Sequence, residues 1–383
     1  MNLRVANEYA SHLQEVKKSE ARACSIGLFP PAPWCHKRHM RDAFEIADTR
    51  LAPGSRGTVH LPVSVLSDHT PVTLSAHVIH GRRPGPVMFV SAAVHGDEVI
   101  GVEIVRRLLR AAALNRLAGT LIAVPIVNSY GFLNHSRYLP DRRDLNRCFP
   151  GHSQGSLAAR LAHLFMTEVV QRCDVGIDLH SAAVGRTNLP QIRLTPGSER
   201  LRDLGETFAA PVTLVSKLRE GSLRQEAAEA GVDVLLYEAG EGLRFDEFAA
   251  RAGVAGILRV MARLGMVAGR GVPKTRVQTV LSERSYWVRA PSGGLLRTLR
   301  AAGDYVEEGM VLGLVSDPFG AHETEVLAEQ AGIVVGRSNL PIVNEGDALF
   351  HIAVPQPRHV PDAVEGFDAH LEAAPLFDED EII

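Results

Sequence analysis

Two histidines and two glutamates stand at the ends of predicted β-strands, and they have the ligand types of a catalytic metal site. His95 and Glu98 lie three residues apart, directly after the apolar run that ends at Val94. His180 and Glu238 end two further predicted strands. Two histidines and one carboxylate are the protein ligands of many catalytic zinc ions, and the fourth position then stays open for water. A second carboxylate at a strand end can serve as the general base for that water.

This set of residues indicates hydrolysis of an amide or an ester. Zinc lowers the pKa of a bound water to about 7 and polarises a carbonyl, so the reaction needs no protein nucleophile. A single histidine at a strand end is more often structural than a metal ligand. The repeated placement of such residues at strand ends favours the metal site.

A long segment without regular periodicity, Asn128 to Gly155, carries a second group of polar residues. Segments of this length inside a compact domain are usually functional. Guanidinium groups bind carboxylates in a bidentate manner, and one near a metal can stabilise an oxyanion. A solvated basic loop is the alternative, but the apolar and turn residues that follow directly favour a binding role. We therefore expect a substrate that bears a carboxylate, bound by residues from this group: Arg137, Arg142, Arg143, Asn146 and Arg147.

The elements that must position these residues alternate between strand and helix from residue 89 to residue 264. Such alternation predicts a largely parallel sheet covered by helices on both faces, and open sheets of this kind bind ligands at the carboxyl ends of their strands. Two alternating runs, 58–66 and 72–80, predict a hairpin that borders the sheet. Asp97 is a candidate N-cap for the helix that follows His95. Further helices are predicted at 156–169, 198–208, 223–229 and 245–264.

The pattern changes after Gly265, where a glycine-rich polar stretch suggests a linker and short β-type runs follow. Those runs predict a small all-β barrel or sandwich. The first residues have weak periodicity, which leaves either Met1 or Met40 as the start, and the last residues are acidic and rich in proline. The predicted organisation is a poorly ordered N-terminal extension (1–39), a hydrolase domain (40–265), a linker (266–285), a β-barrel (286–353) and an acidic tail (354–383).

Composition argues against several classes of protein. A hydrophobic content of 45%, 22% charged residues and a formal net charge of -3 are ordinary for a globular protein and disfavour a nucleic-acid partner. The four cysteines form no CxxC pair, which disfavours both a disulfide framework and a thiolate zinc site. No run reaches the roughly 18 apolar residues of a membrane span. We expect a soluble cytoplasmic protein without a membrane partner, and association into a homo-oligomer stays open.

A serine hydrolase is the competing enzymatic interpretation. GHSQG at Gly151 to Gly155 matches the pattern G-x-S-x-G, with Ser153 as the nucleophile. That motif must follow a strand, whereas Ser153 follows the irregular stretch RDLNRCFPG. No phosphate-binding loop of the G-x-x-x-x-G-K-[ST] type occurs. The sequence therefore disfavours both a serine nucleophile and nucleotide phosphate binding.

Four motifs in order carry a resemblance to a known family. They are HGDE at 95–98, RRDLNRCFPG at 142–151, DLHS at 178–181 and YEAGEG at 237–242. Together they resemble the succinylglutamate desuccinylase and aspartoacylase family, relatives of the zinc carboxypeptidases, over about residues 56 to 264. The resemblance implies one zinc ion per chain held by His95, Glu98 and His180, with Glu238 as the general base and then the general acid. It also implies a mixed, mostly parallel sheet of the zinc carboxypeptidase type.

The same resemblance implies roles for the long segment. Asn146 and Arg147 would bind the substrate carboxylate, and Arg137 would polarise the scissile carbonyl. The arginines within YLPDRR leave Arg142 or Arg143 as alternatives for that last role.

The β-rich end also resembles a known fold. Residues 290–317 and 331–352 are similar to the hammerhead barrel of biotinyl and lipoyl domains. Such carriers need a lysine at a hairpin tip, but no lysine follows Lys274, and the corresponding turn lies near 319–322. We expect a structural barrel that walls the active-site entrance or mediates association, and not a swinging arm.

The resulting prediction is a zinc-dependent amidohydrolase that cleaves an N-acyl amino acid or a similar small substrate bearing a carboxylate, as desuccinylases and aspartoacylases do. A zinc carboxypeptidase acting on peptides is the nearest alternative. A non-catalytic binding protein that keeps the zinc fold is the other, although such a protein would not need Glu238.

Overall fold

A computed structural model describes residues 41–275 and 279–355 of the chain. The predicted N-terminal extension and the question of Met1 or Met40 as the start lie outside these residues. The predicted acidic tail lies outside them as well, apart from its first two residues.

The architecture is a large mixed sheet with helices on both faces. Thirteen strands make up this sheet, a separate hairpin contains β1 and β2, and a second sheet contains four strands. The strands are β1 (Phe44–Ile46), β2 (Thr49–Leu51), β3 (Ser55–Val65), β4 (Pro71–His80), β5 (Arg83–Ala92), β6 (Ala118–Val124), β7 (Val175–Ala182), β8 (Arg186–Leu194), β9 (Val212–Val215), β10 (Asp233–Glu241), β11 (Val280–Ser282), β12 (Arg284–Arg289), β13 (Gly294–Thr298), β14 (Tyr305–Val306), β15 (Val311–Ser316), β16 (Glu323–Leu327), β17 (Gly332–Ser338), β18 (Ile342–Val343) and β19 (Ala348–Val354).

The centre of the large sheet is parallel. Strands β6, β5, β7 and β10 lie side by side in that order and run in one direction. The predicted hairpin, β3 with β4, borders this centre through antiparallel pairing of β4 with β6. On the other side, β8 pairs antiparallel with β10. Three residues separate β7 from β8, and a parallel return would need a crossover of about a dozen residues or more, so β8 must reverse direction.

Six helices within the described residues cover the sheet: α1 (Ile100–Arg110), α2 (Ser129–Leu133), α3 (Leu157–Glu168), α4 (Glu199–Phe208), α5 (Leu223–Glu229) and α6 (Glu247–Arg263). Alternate residues of a strand face opposite sides of a sheet. Met88 and Val90 therefore join a core with α1, α4 and α6, while Phe89 joins a second core with α3 and α5. The predicted mixed α/β fold with helices on both faces is confirmed.

Side chains cap the starts of several helices, but Asp97 does not cap the helix that follows His95. The side chains of Ser156, Ser198 and Asp246 each accept a hydrogen bond from the backbone of the first turn. The prediction that Asp97 caps α1 is wrong, because residues 95–98 form a turn in which the Glu98 N–H donates to the His95 carbonyl. Helix α1 begins at Ile100, and its N-cap residue, Val99, makes no side-chain cap.

The C-terminal β-rich residues are joined to the large sheet. Strands β12, β14, β17 and β19 belong to that sheet, and β17 connects them to β8 by antiparallel pairing. Strands β13, β15, β16 and β18 form the four-stranded sheet, and the two sets enclose a core of their own. We call residues 284–354 the C-terminal β-region. The stretch predicted as a linker contains β11, which pairs with β9, and the predicted domain boundaries there stay predictions.

Among the described residues, no helix is both long enough and apolar enough to cross a membrane.

Candidate metal centre

The turn after β5 carries His95 and Glu98, and it packs tightly against helix α2. Ala93 takes a left-handed conformation with φ 50°, and the backbone N–H groups of Val127 and Asn128 donate to the carbonyls of Ala92 and Ala93. A Cβ on Gly96 would lie 1.9 Å from the Gly131 carbonyl carbon, so glycine is required at this contact with α2. The turn is therefore rigidly held where the two candidate ligands emerge.

The three predicted metal ligands converge. Nδ1 of His95 lies 2.6 Å from Oε1 of Glu98, and Nδ1 of His180 lies 2.7 Å from Oε2 of the same carboxylate. One ligand atom from each residue lies within 4.8 Å of the others, and all three side chains are buried. Two imidazole nitrogens and a carboxylate thus converge on one point, where they could hold a divalent cation.

The outer nitrogen of each histidine meets a second carboxylate. Nε2 of His95 is 3.0 Å from Oδ1 of Asp144, and Nε2 of His180 is 2.7 Å from Oδ2 of Asp178. Oδ1 of Asp178 accepts a hydrogen bond from the Ser91 hydroxyl at 2.7 Å. Metal-binding histidines commonly donate their other N–H to a carboxylate, which fixes the tautomer and leaves a lone pair for the metal. The donor set therefore fits a divalent metal with both histidines bound through Nδ1.

Charge in this cluster favours a cation. Burial acts to raise the pKa of Glu98, but the imidazoles of His95 and His180 outweigh it and hold that pKa well below its usual range. Burial acts to lower the pKa of His180, but Asp178 and Glu98 outweigh it and hold that pKa well above the usual value. A buried group of carboxylates draws positive charge to itself, and a metal ion supplies such charge when both imidazoles are neutral.

Arg137 lies beside the candidate metal ligands. Its Nη1 is 3.3 Å from Oε1 of Glu98, and its Nη2 donates to Oδ2 of Asp144 at 2.9 Å. Arg142 and Arg143 are exposed, and neither lines the cavity in front of the candidate ligands. Of the three arginines considered for the scissile carbonyl, Arg137 is the one that the fold brings to the site.

Asn146 and Arg147 lie on a short 3-10 helix, Leu145–Arg147, whose N-cap is Asp144. The Asn146 amide oxygen accepts a hydrogen bond from the Leu223 N–H at 2.9 Å, so the start of α5 holds this side chain. The Arg147 guanidinium donates to the Asn146 carbonyl. Both residues line the same cavity as the candidate metal ligands.

Glu238 is the neighbour of His180 in the sheet. The two residues are ladder partners on the parallel strands β10 and β7, so their side chains share a face. Oε2 of Glu238 accepts a hydrogen bond from the Asn188 amide at 2.7 Å, and Oε1 lies 3.2 Å from Nη1 of Arg193. Both strands continue beyond the positions expected from the sequence, β7 to Ala182 and β10 to Glu241, so neither residue is terminal.

The cavity that these residues share has a volume of about 220 Å³. Its wall also holds residues that sequence reasoning did not find: Arg186, Asn188, Arg193, Arg219, Arg224, Trp287 and Arg337. Asp144 and Asp178 could have been found, because each lies within a motif and Asp178 precedes His180 by two residues, on the same face of a strand. The other positions depend on strand pairing or on packing between elements that are distant in sequence, for which the sequence has no local signal.

Ser153 has no place in this site. It is exposed, it lies in a turn, and it follows irregular backbone after Pro150 instead of a strand. The requirement of a strand before a nucleophile elbow is not met.

Comparisons with known proteins identify the fold and the family. The model of the succinylglutamate desuccinylase/aspartoacylase catalytic domain matches residues 84–264. The chain is 28% identical over 309 residues to an N-alpha-acetyl-L-2,4-diaminobutyric acid deacetylase of Halomonas elongata, covering 78% of this chain and 86% of that protein. It is 33% identical over 151 residues to a succinylglutamate desuccinylase of Pseudomonas aeruginosa, covering 33% of this chain and 43% of that protein.

Solved structures show the same fold. The structure of a succinylglutamate desuccinylase/aspartoacylase from Rhodobacter sphaeroides superposes with a TM-score of 0.71 at 23% identity, over 82% of this chain and 97% of that chain. The product-bound ectoine utilization protein EutE (DoeB) from Ruegeria pomeroyi also has a TM-score of 0.71, at 24% identity, over 82% of this chain and 96% of that chain. The family model identifies residues 84–264 as a succinylglutamate desuccinylase/aspartoacylase catalytic domain, and the solved structures show the same fold.

Proposed function

We propose that the protein is a zinc-dependent hydrolase that cleaves the amide bond of a small N-acyl amino acid. The observation that carries this proposal is the convergence of His95 Nδ1 and His180 Nδ1 on the Glu98 carboxylate, with Glu238 on the neighbouring strand. Relatives named as a deacetylase and as desuccinylases support the same reaction class.

The metal would be held by His95, Glu98 and His180. Two imidazoles and one carboxylate in a buried site suit zinc, and a set of three protein ligands leaves a coordination position open. A zinc ion bound there supplies a Lewis acid that activates water and polarises a carbonyl at neutral pH. Asp144 and Asp178 would hold the two imidazoles in the orientation that this binding requires.

Glu238 would act as the general base and then as the general acid. Its carboxylate would take a proton from the attacking water and deliver it to the amine nitrogen when the C–N bond breaks. Asn188 and Arg193 would hold the two oxygens of this carboxylate while it does so.

Arg137 would stabilise the negative charge that develops on the carbonyl oxygen. Its guanidinium is tied to Glu98 and Asp144, so its position beside the metal ligands is set before the substrate arrives. Donors that are fixed in advance stabilise such charge without a cost of reorganisation during the reaction.

The arginines of the cavity wall favour the binding of an anionic substrate. Arg147, Arg186 and Arg219 line it, and none of the three forms an ion pair with a carboxylate of the described residues. Arg224 is buried there as well; burial and the nearby Arg193 lower its pKa to about 10. Guanidinium groups in such surroundings bind carboxylates strongly. Asn146 and Arg147 would take the carboxylate of the amino acid.

We also infer that the C-terminal β-region is a barrel of the biotinyl and lipoyl type. Two sets of strands enclose one core that includes Leu296, Val306, Leu312 and Phe350. The turn between β15 and β16 carries Phe319, which is 93% exposed, where a carrier domain would need a lysine. The barrel would serve as a wall of the cavity, to which Trp287 contributes.

A combined assay of metal content and turnover tests this proposal. Purified protein would be analysed for metal, reconstituted with zinc, and assayed on N-acetyl and N-succinyl amino acids together with peptides of matched sequence. We expect about one zinc per chain and hydrolysis of N-acyl amino acids in preference to peptides. Stronger trimming of peptides would indicate a carboxypeptidase. Bound zinc without hydrolysis of any compound would indicate a binding protein.

A further inference from the structure

Asn188 lies where the hydrolase strands and the C-terminal β-region meet. Strand β8 runs between β10 and β17 at this point, and the ladder partners of Asn188 are Gly240 on β10 and Gly336 on β17. A glycine on each side leaves the Asn188 side chain without a side-chain neighbour from its ladder partners. The amide is therefore free to lie across the sheet towards other groups.

The Asn188 amide is hydrogen-bonded to the Glu238 carboxylate. Nδ2 of Asn188 donates to Oε2 of Glu238 at 2.7 Å. Oδ1 of Asn188 lies over Gly336, at a point only 2.6 Å from where a Cβ would be. A Cβ contact this short does not occur in proteins without a shift of one partner, so only glycine at position 336 allows the observed amide position.

Irregular pairing in β8 and in β17 sets the direction of the Asn188 amide. In β8, Leu189 and Pro190 lie opposite the single residue Ala239 of β10, so β8 carries a bulge directly after Asn188. In β17, the pairing with β19 shifts between Val334 and Gly336. Bulges turn the adjacent side chain from its regular direction, and proline fits such a position because it has no N–H to donate.

Gln191 ties the two irregularities together. It is fully buried, and its Nε2 donates to the carbonyls of Leu189 at 3.2 Å and Val335 at 2.9 Å. One side chain thus bonds to the bulge of each strand. The junction of β8 with β17 is held as a unit, and Asn188 is part of it.

We propose that Asn188 is a positioning residue for Glu238, and that strand β17 of the C-terminal β-region sets the orientation of that carboxylate through Asn188. The inference rests on the proposed function, in which Glu238 is the general base. Without the amide, Arg193 still holds Oε1 of Glu238, but Oε2 loses its described donor and the carboxylate can rotate. The C-terminal β-region then contributes to the geometry of the site.

Two substitutions and their combination test the proposal. Asn188→Ala should lower kcat by about tenfold to a hundredfold, the effect of displacing a reacting group by roughly 1 Å, while KM and zinc content stay unchanged. Gly336→Ala should lower kcat similarly, because its methyl group displaces the Asn188 amide. In the double variant, Gly336→Ala should cost nothing further, since substitutions that act through one group are not additive.

Asn339→Ala is the matched control. Both described hydrogen bonds of the Asn339 side chain go to Thr187 and Glu241 across the same junction and not to Glu238, so this variant should keep wild-type kcat. A wild-type kcat in folded Asn188→Ala would overturn the proposal. A full additional loss from Gly336→Ala in the Asn188→Ala background would overturn the role of β17.

Crystal structures of the wild type and Asn188→Ala separate this inference from the proposed function. If the wild type hydrolyses no N-acyl amino acid, the proposed function fails, and the position of the Glu238 carboxylate still decides the inference. A carboxylate that rotates away from its wild-type position in Asn188→Ala supports the proposal. An unmoved carboxylate contradicts it.

Discussion

Glu98 is the residue on which the candidate metal centre depends. Each of its oxygens lies against one imidazole, and Nη1 of Arg137 lies 3.3 Å from one of them. Glu98 and His95 belong to the turn after β5 and His180 to strand β7, so the Glu98 side chain links elements that are distant in sequence. A metal ion at this point would replace those direct contacts with coordination bonds.

Glu238 and His180 are expected to respond differently to substitution although they are neighbours in the sheet. Glu238→Gln removes the proton acceptor and leaves the ligand set intact, so zinc content should be unchanged and kcat should fall by about 10²–10⁴-fold. His180→Ala removes a ligand and should lose both zinc and turnover. Metal analysis beside steady-state kinetics checks both variants. Wild-type turnover in Glu238→Gln would remove this carboxylate from the mechanism.

Arg147 is expected to act on substrate binding. Its guanidinium lines the cavity without an ion-pair partner among the described residues, so Arg147→Ala should raise KM for substrates with a free carboxylate. Loss of a bond to a charged group costs about 1.5–3 kcal/mol, or roughly tenfold to a hundredfold in kcat/KM. The amidated form of the same substrate is the control and should be little affected. Equal losses for both forms would move the anion site elsewhere.

Some of these residues have a local signal in the sequence, and others do not. His95, Glu98, His180 and Glu238 were found because each follows a recognisable apolar run, and strand ends in such sheets collect functional groups. Asn188 gave no signal, because its role depends on a bulge in β8 and on a glycine in β17 about 150 residues away. Pairing of this kind is set by tertiary packing, which local patterns do not encode.

The turn between β5 and α1 has a restricted geometry, because Gly96 packs against the backbone of α2. The expectation of a helix from Asp97 was wrong because the turn is stabilised by its own backbone bonds and by contact with α2. The same contact explains why a glycine, Gly96, follows His95 in the motif HGDE. Strand direction also followed from connection length: the short link from β7 to β8 required the antiparallel strand that carries Asn188 and Arg193.

Gly96→Ala is therefore expected to damage the site through the backbone. The added methyl group would lie 1.9 Å from the Gly131 carbonyl carbon, so the turn or α2 must move. Overpacking of this kind typically costs about 1–3 kcal/mol, and the displaced turn carries two candidate metal ligands. Lower thermal stability together with weaker zinc binding, measured by calorimetry, is the expected result.

Gly197→Ala controls for the loss of a glycine, since its Cβ would meet no atom within 4 Å, although its positive φ adds some strain. A Gly96→Ala protein that binds zinc as the wild type does would contradict the account of this turn.

In the whole molecule, the large sheet connects the candidate metal centre to the C-terminal β-region. The candidate ligands and base lie on the turn after β5 and on strands β7 and β10, and β8 pairs with β17. The mixed α/β fold was predictable because strand and helix patterns alternate from residue 89 onwards. The continuity of the sheet into the C-terminal β-region was not, because a glycine-rich stretch suggested a linker where β11 pairs with β9.

Removal of metal is expected to destabilise the whole protein. A ligand that binds only the folded state adds about 4 kcal/mol of stability when it is present at roughly a thousand times its Kd. Because the candidate ligands come from a turn and a central strand, a chelator should lower Tm and added zinc should restore it. Differential scanning calorimetry measures both steps, with His180→Ala as a control that should not respond. A Tm that is insensitive to chelation in the zinc-loaded wild type would contradict a metal in the core of the sheet.

Anomalous X-ray scattering at the zinc edge tests the metal centre most directly. Crystals of the zinc-loaded protein should show one strong peak between His95 Nδ1, His180 Nδ1 and the Glu98 carboxylate, with imidazole nitrogens at about 2.0–2.1 Å from it. Crystals of His180→Ala prepared in the same way should lack that peak. A zinc-loaded wild type without a peak at this position would contradict the account.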